Sequence, residues 1–129
     1  MNFSEMGLSP KFDSFFKEKS LSAPTSVQAK AIPAFLQNKS LLILAQTGTG
    51  KTLSYALPII HKLHELELEK GVEKRKGMPA CIVIVPTKEL AQQVHQVFKD
   101  IAHHVKFRAR MITGGMGETE LAGLHKQSF

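Results

Sequence analysis

The feature that most limits what this chain can become is a short apolar run ending in a glycine-spaced turn that carries a lysine. Residues 41–45 read Leu-Leu-Ile-Leu-Ala, and the chain continues Gln46-Thr47-Gly48-Thr49-Gly50-Lys51-Thr52. An unbroken apolar run of strand length, with no polar alternation, predicts a strand covered on both faces, as in a parallel sheet under helices. Gly48 and Gly50 permit a tight path and close backbone approach, so several N–H groups can converge on one anion. A helix predicted from about Lys51 turns its positive end towards the same point. Lys51 adds a mobile charge for β- and γ-phosphates, and the Thr52 hydroxyl suits Mg2+. Gln46, Thr47, Gly48, Thr49, Gly50, Lys51 and Thr52 are therefore the expected phosphate loop, although Ala45 stands where the general pattern has its first glycine.

Two helices are predicted ahead of this loop. The first starts at Pro10, with Ser9 as N-cap and Asp13 in its first turn, and puts Phe12, Phe15 and Phe16 on one face. The second follows Thr25, with Val27, Ala31, Ile32, Phe35 and Leu36 as its apolar stripe. Beyond the loop, the helix from Lys51 is expected to bury Leu53, Leu57, Ile60 and Leu63, with a local kink at Pro58. The charge-alternating stretch 65–79, which contains Gly71, Gly77 and Pro79, reads as a frayed helix end and a solvated loop. Residues 80–85 (Ala-Cys-Ile-Val-Ile-Val) are the second expected buried strand, with Cys81 a small hydrophobe inside it. Leu90, Val94, Val97, Phe98 and Ile101 mark an amphipathic helix. A weaker third strand spans 107–112 and ends at Thr113-Gly114-Gly115. Strand, helix, strand, helix, strand after two helices is an α/β pattern with parallel strands and right-handed crossovers.

A chain of 129 residues is one domain's worth, and 43% hydrophobic with 22% charged residues is an ordinary soluble composition. Lysine and arginine number 17 against 11 acids, a formal charge of +6 that suits a polyanionic partner and also serves solubility. The single cysteine excludes an internal disulfide and fits a reducing compartment. The N-terminus has neither a basic cap nor an apolar stretch of targeting length, and the 41–45 run is too short to span a bilayer, so a cytoplasmic chain with no membrane partner is expected. The six histidines include no His-Glu-x-x-His, and no zinc site is expected.

Other segments make the chain resemble the DEAD-box RNA helicases. Ala23-Pro24-Thr25-Ser26-Val27-Gln28 resembles that family's adenine-reading Q motif, with Phe3 as the isolated aromatic upstream. The resemblance implies that Gln28 bonds the adenine edge and that Phe3 stacks on its face. Thr25-x-x-Gln28 is equally a capping box that closes a helix start, and both roles are compatible. Ser20 and Leu21 stand where the family usually has glycine and an aromatic. Pro86-Thr87-Lys88-Glu89-Leu90-Ala91 resembles the family's first RNA-contacting motif, with Lys88 in place of its usual arginine. Gly114 and Gly115 resemble the double-glycine element that admits RNA phosphates. The resemblance covers residues 3–115 and implies an incomplete first RecA-like helicase domain: a P-loop NTPase three-layer sandwich with 1–40 as Q-motif helices and 41–129 as a βαβαβ core. It also implies ATP and Mg2+ as ligands, Lys51 and Thr52 as catalytic residues, Thr52 as the metal residue, and RNA as partner through Pro86, Thr87, Lys88, Gly114 and Gly115.

The chain contains no Asp-Glu-Ala-Asp tetrad and no Ser-Ala-Thr element. It is expected to be marginally folded alone, to bind ATP weakly and not to turn it over, the second RecA-like domain lying elsewhere. Two alternatives stay open: a nucleotide- or RNA-binding module without catalysis, and an unrelated P-loop ATPase.

Overall fold

The computed structural model describes residues 1–48, 50–70 and 78–124, with side chains described for all of these except 67–70. Two short 3₁₀ turns, Phe3–Met6 and Pro10–Phe12, lead into helix α1 (Asp13–Glu18). Helices α2 (Ser26–Leu36), α3 (Lys51–Lys70), α4 (Lys88–Ala102) and α5 (Glu118–Leu124) follow. Each start has a local cause. Asn2 and Glu5 close a capping box on the first turn, and the Ser9 hydroxyl accepts from the Lys11 N–H ahead of Pro10. The Thr87 hydroxyl accepts from the Leu90 N–H at 3.1 Å and starts α4. Helix α3 runs on to Lys70, into the charge-alternating stretch, with Pro58 inside it. The rest of the expected loop, 71–77, lies outside the described residues, as do 125–129.

The core forms where α2, α3 and α4 meet the N-terminal aromatics. Phe12, Phe15, Phe16, Ile32, Ala56, Leu57, Ile60, Val94, Phe98, Ile101 and Val105 are all buried, so the expected helix stripes face inward. The N-terminal segment is tied down by polar contacts as well. The Ser9 N–H donates to His61 Nδ1 at 3.1 Å, which leaves the ring proton on Nε2, facing the Glu65 carboxylate at 3.3 Å. Helix α1 is fastened to α4 by the Lys19 ammonium, which donates to Asp100 at 3.1 Å, and by His104, which meets both Ser14 and Glu18. The Lys62 ammonium donates to the Asn38 side chain and lies over the Phe35 ring, joining α3 to the end of α2.

The three expected strands differ from their prediction. Among the described residues, 41–45, 80–85 and 107–112 carry no strand ladder. A continuous apolar run was expected to be covered on both faces, but here 41–45 is covered only at Ile43 and Ala45, and 80–84 is exposed throughout. Leu42 and Leu44 are 87% and 86% exposed, while Ile43 and Ala45 between and after them are half-buried. Ile82 and Ile84 are likewise open, at 72% and 89%. The physical reason is that a strand borrows its definition from a neighbour: without paired N–H and C=O groups, only the helix side supplies cover. Cys81 is corrected for the same reason. It is exposed rather than buried, although neighbouring atoms desolvate the thiol enough to push its pKa up. No helix among the described residues is long and apolar enough to cross a membrane.

Asp100 offers a check on the α1–α4 fastening. The Gln96 amide, bonded to its carboxylate at 2.9 Å, and then Lys19 hold its pKa below the usual carboxylate range. A depressed folded pKa stabilises above the unfolded value, about 3.9, and the gain is lost as pH falls through the folded value. Urea titrations should show Asp100→Asn less stable than the parent by at most about 1 kcal/mol at pH 6, the pair being partly exposed. The two chains should converge as pH falls through the depressed folded pKa of Asp100.

Candidate functional site

Helix α2 and the glycine turn before α3 meet through one side chain. Gln28 is 3% exposed. Its Oε1 accepts from the Thr25 N–H at 2.9 Å, while its own N–H donates to Thr25 Oγ1 at 3.4 Å, completing the capping box. Its Nε2 donates to the Gly50 carbonyl at 3.3 Å. Only one amide orientation serves both partners, because Thr25 offers a donor and Gly50 an acceptor. The Gly50 carbonyl also accepts from the Ser54 backbone at 3.2 Å and from the buried Ser54 hydroxyl at 3.1 Å. Three donors therefore orient this peptide at the entrance to α3.

Gly50 has no room for a side chain. Its φ is +85°, and a Cβ there would stand 2.4 Å from Gln28 Nε2 and 3.1 Å from Gln28 Cδ. Gly48 also takes a positive φ, +82°, but has open space around it. One glycine is thus required by conformation and packing together, the other by conformation alone.

Lys51 opens α3 and bends its ammonium back to the Ala45 carbonyl at 2.5 Å, closing the turn into a ring. No acidic residue lies in the first turn of α3, so the chain leaves the helix's positive end unneutralised. Thr52 follows, half-buried; Gln46, Thr47 and Gly48 are exposed; and Thr49 lies outside the described residues. A groove of about 610 Å3 opens alongside, between Thr25, Val27 and Lys30 of α2 and the 41–45 segment, ending at Ala45.

Phe3 is brought elsewhere. It is 4% exposed and stacks on Phe16, with ring centroids 4.2 Å apart and an interplanar angle of 16°. The expected face for a base is therefore covered by another aromatic, and Phe3 packs as a core residue. Gln28 likewise has one donor and one acceptor engaged inside the protein, leaving one of each from the amide's four.

Pro86, Thr87 and Lys88 of the second group of expected residues stand exposed at the start of α4, with Thr87 also serving as the cap. The segment after α4 returns along it: Phe107 meets Phe98 edge-on at 6.2 Å, and the Ala109 carbonyl faces His95 at 3.4 Å. As the segment advances, its partners on α4 step backwards, so it runs in the direction of the start of α4 as far as Ala109. Gly115 has a φ of +93° and nothing within 4 Å of a built Cβ, so its backbone is open to approach.

Sequence reasoning missed Ser54 and the bond from Gln28 to Gly50. The serine has no signal in the chain, because its role depends on a carbonyl one turn away. The Gln28 contact was foreshadowed only by the capping box.

The profile of the DEAD/DEAH box helicase family matches residues 25–127. The chain is 40% identical over 114 residues to DEAD-box ATP-dependent RNA helicase 39 of Arabidopsis thaliana, covering 88% of this chain and 18% of that protein. It is 38% identical over 122 residues to the ATP-dependent rRNA helicase RRP3 of Saccharomyces cerevisiae, covering 94% of this chain and 22% of that one. Among solved structures, the RNA-helicase Prp28 from Chaetomium thermophilum, bound to ADP, superposes with a TM-score of 0.80 at 29% identity, over 97% of this chain and 30% of that one. A DEAD box protein from Methanococcus jannaschii gives 0.73 at 28% identity, over 99% of this chain and 33% of that one. The chain thus spans about a fifth of the length of these curated relatives, and it shares the P-loop helicase fold of the solved ones.

The bond from Gln28 to Gly50 predicts a non-additive mutant pair. Gly50→Ala should lower thermal stability by more than the 1–2 kcal/mol (about) of left-handed strain alone, since its methyl strikes the Gln28 amide. In a Gln28→Ala background, a melting experiment should show the same Gly50→Ala change costing clearly less.

Proposed function

This chain belongs to the DEAD/DEAH box helicase family, and on that premise we propose that it is the N-terminal, ATP-binding part of an ATP-dependent RNA helicase that couples ATP hydrolysis to RNA unwinding. The observation that carries the reading is the Gln28 bond to Gly50, which joins the capped start of α2 to the glycine turn beneath Lys51. A turn so braced, opening a helix with no acid in its first turn, suits a triphosphate tail. The names of the relatives as ATP-dependent RNA helicases, and the ADP on one solved neighbour, support the same ligand class.

In this reading the segments 41–45, 80–85 and 107–112 are strands of a parallel sheet in a three-layer sandwich, with 1–40 as the preceding helical part. The period-two exposure of 42–45 and 107–112 supports that assignment. The loop from Gln46 to Thr52 holds the phosphates. The Lys51 ammonium exchanges its neutral carbonyl partner, Ala45, for phosphate oxygens, a charge-assisted and stronger contact. The Thr52 hydroxyl would hold Mg2+, which when bound supplies positive charge shared among phosphate oxygens. The spare donor and acceptor of Gln28 suit an adenine edge, and Phe3 acts by fixing the N-terminal turn rather than by stacking on the base. Pro86, Thr87, Lys88, Gly114 and Gly115 meet the RNA backbone. The lone, unpaired cysteine fits a cytoplasmic setting.

Lys51 and Thr52 hold the reacting tail, but the chain has no Asp-Glu-Ala-Asp run to position a water. Calorimetry with magnesium–ATP should therefore register binding, and phosphate release should stay at background with or without RNA. Lys51→Ala should weaken binding by about 10- to 100-fold, the worth of a charge-assisted bond. Equal heats for Lys51→Ala and the parent chain would overturn the assignment.

A further inference from the structure

A serine buried near the start of α3 needs a reason to be there. Ser54 is 0% exposed, on the stretch of α3 that also buries Ala56 and Leu57. Alanine would fill nearly the same space, form the better helix and leave no hydroxyl to be stripped of water. The Ser54 hydroxyl donates to the Gly50 carbonyl one turn back, at 3.1 Å. Serines inside helices often satisfy themselves in this way. What is particular here is the carbonyl it finds.

Gly50 is poorly able to hold its own peptide in place. It has no Cβ and takes a φ of +85°, a region where glycine turns freely. The direction of the peptide is therefore set from outside, by the donors on its oxygen. Three share it: the Ser54 N–H at 3.2 Å, Gln28 Nε2 at 3.3 Å and the Ser54 hydroxyl, the shortest, at 3.1 Å. The first is the ordinary opening bond of a helix. Gln28 reaches in from α2, where its other end serves the cap. The hydroxyl is the contact with no second task. Across the same peptide lies the Lys51 N–H, which in a planar trans unit points opposite to the carbonyl. With the carbonyl held along α3, this N–H faces back out of the helix start. It is one of the donors that a helix start leaves without an internal partner.

We propose that Ser54 is a positioning residue for nucleotide binding: its hydroxyl holds the Gly50–Lys51 peptide against rotation, so that the Lys51 N–H stays aimed at the phosphate tail. The assignment rests on the nucleotide-binding reading given above. Ser54 lies beneath the turn and touches no ligand; it acts through the peptide. Its effect belongs to the phosphate end, since the adenine edge falls to the spare donor and acceptor of Gln28.

The test compares the 129-residue chain with Ser54→Ala by calorimetry, using magnesium–ATP and, as a probe of the phosphate end alone, magnesium–tripolyphosphate. Both should bind the variant about 3- to 10-fold more weakly, the worth of one neutral hydrogen bond. Without ligand the variant should melt no lower than the parent, because alanine is the better helix former. Hydrogen exchange supplies the readout that a packing role would not move. Saturating magnesium–ATP should slow exchange of the Lys51 amide in the parent and clearly less in the variant, with the amides of residues 56–60 alike in both. Unchanged affinity, in a parent that does bind magnesium–ATP, would overturn the role of Ser54 and leave the nucleotide reading standing. A parent that binds no nucleotide would overturn both. Weaker ATP binding with unchanged tripolyphosphate binding would move the effect to the adenine edge and overturn the assignment. Earlier melting, with faster exchange along the whole of α3, would show a packing role and overturn it too.

Discussion

The architecture of the site depends on one buried amide. Gln28 sits at the third position of α2, where a glutamine closes a capping box, and its other end reaches the Gly50 carbonyl. A cap is ordinarily a local device worth about 1 kcal/mol to its own helix. Here it has a long-range consequence, because the atom left over from capping determines where the peptide before Lys51 points. Ser54 completes the arrangement from the other side. The direction of the α3 entrance, and hence of Lys51 and Thr52, follows from a contact between residues far apart in sequence.

The helices and the apolar segments are stabilised in different ways. Every helix but the last contributes to one core, closed at its N-terminal end by Phe3, Phe12, Phe15 and Phe16. The segments at 41–45 and 80–85 leave Leu42, Leu44, Ile82 and Ile84 bare, with Val85 packed against the core. Open apolar faces of this kind favour association, and a covering layer would gain hydrophobic free energy in proportion to the area it closed. The 106–112 segment is the exception, since its outward face is cationic.

Reading along the chain worked best where the cause is local. Ser9 caps the turn that opens at Pro10, and the stripe of Leu90, Val94, Val97, Phe98 and Ile101 faces inward as periodicity demands. It failed where a neighbour decides. Phe3 is an exposed-looking aromatic on a short turn, yet Phe16 covers it. Cys81 lies in an apolar run, yet its exposure depends on whether a second strand lies alongside. Neither outcome is encoded within a few residues of the side chain concerned.

The sequence by itself determined the chemistry available to this protein: a lysine and a threonine after two obligatory glycines, at the start of a helix, within a basic chain. Those features follow from backbone sterics and from which groups carry charge, and both act over a few residues. Only the tertiary structure decided that Gln28 braces Gly50, that Phe3 belongs to the core, and that the segment after α4 turns back along it at Phe107 and Ala109. Each of these requires two distant segments to pack, and packing is selected by the free energy of the whole core rather than by any stretch of chain alone.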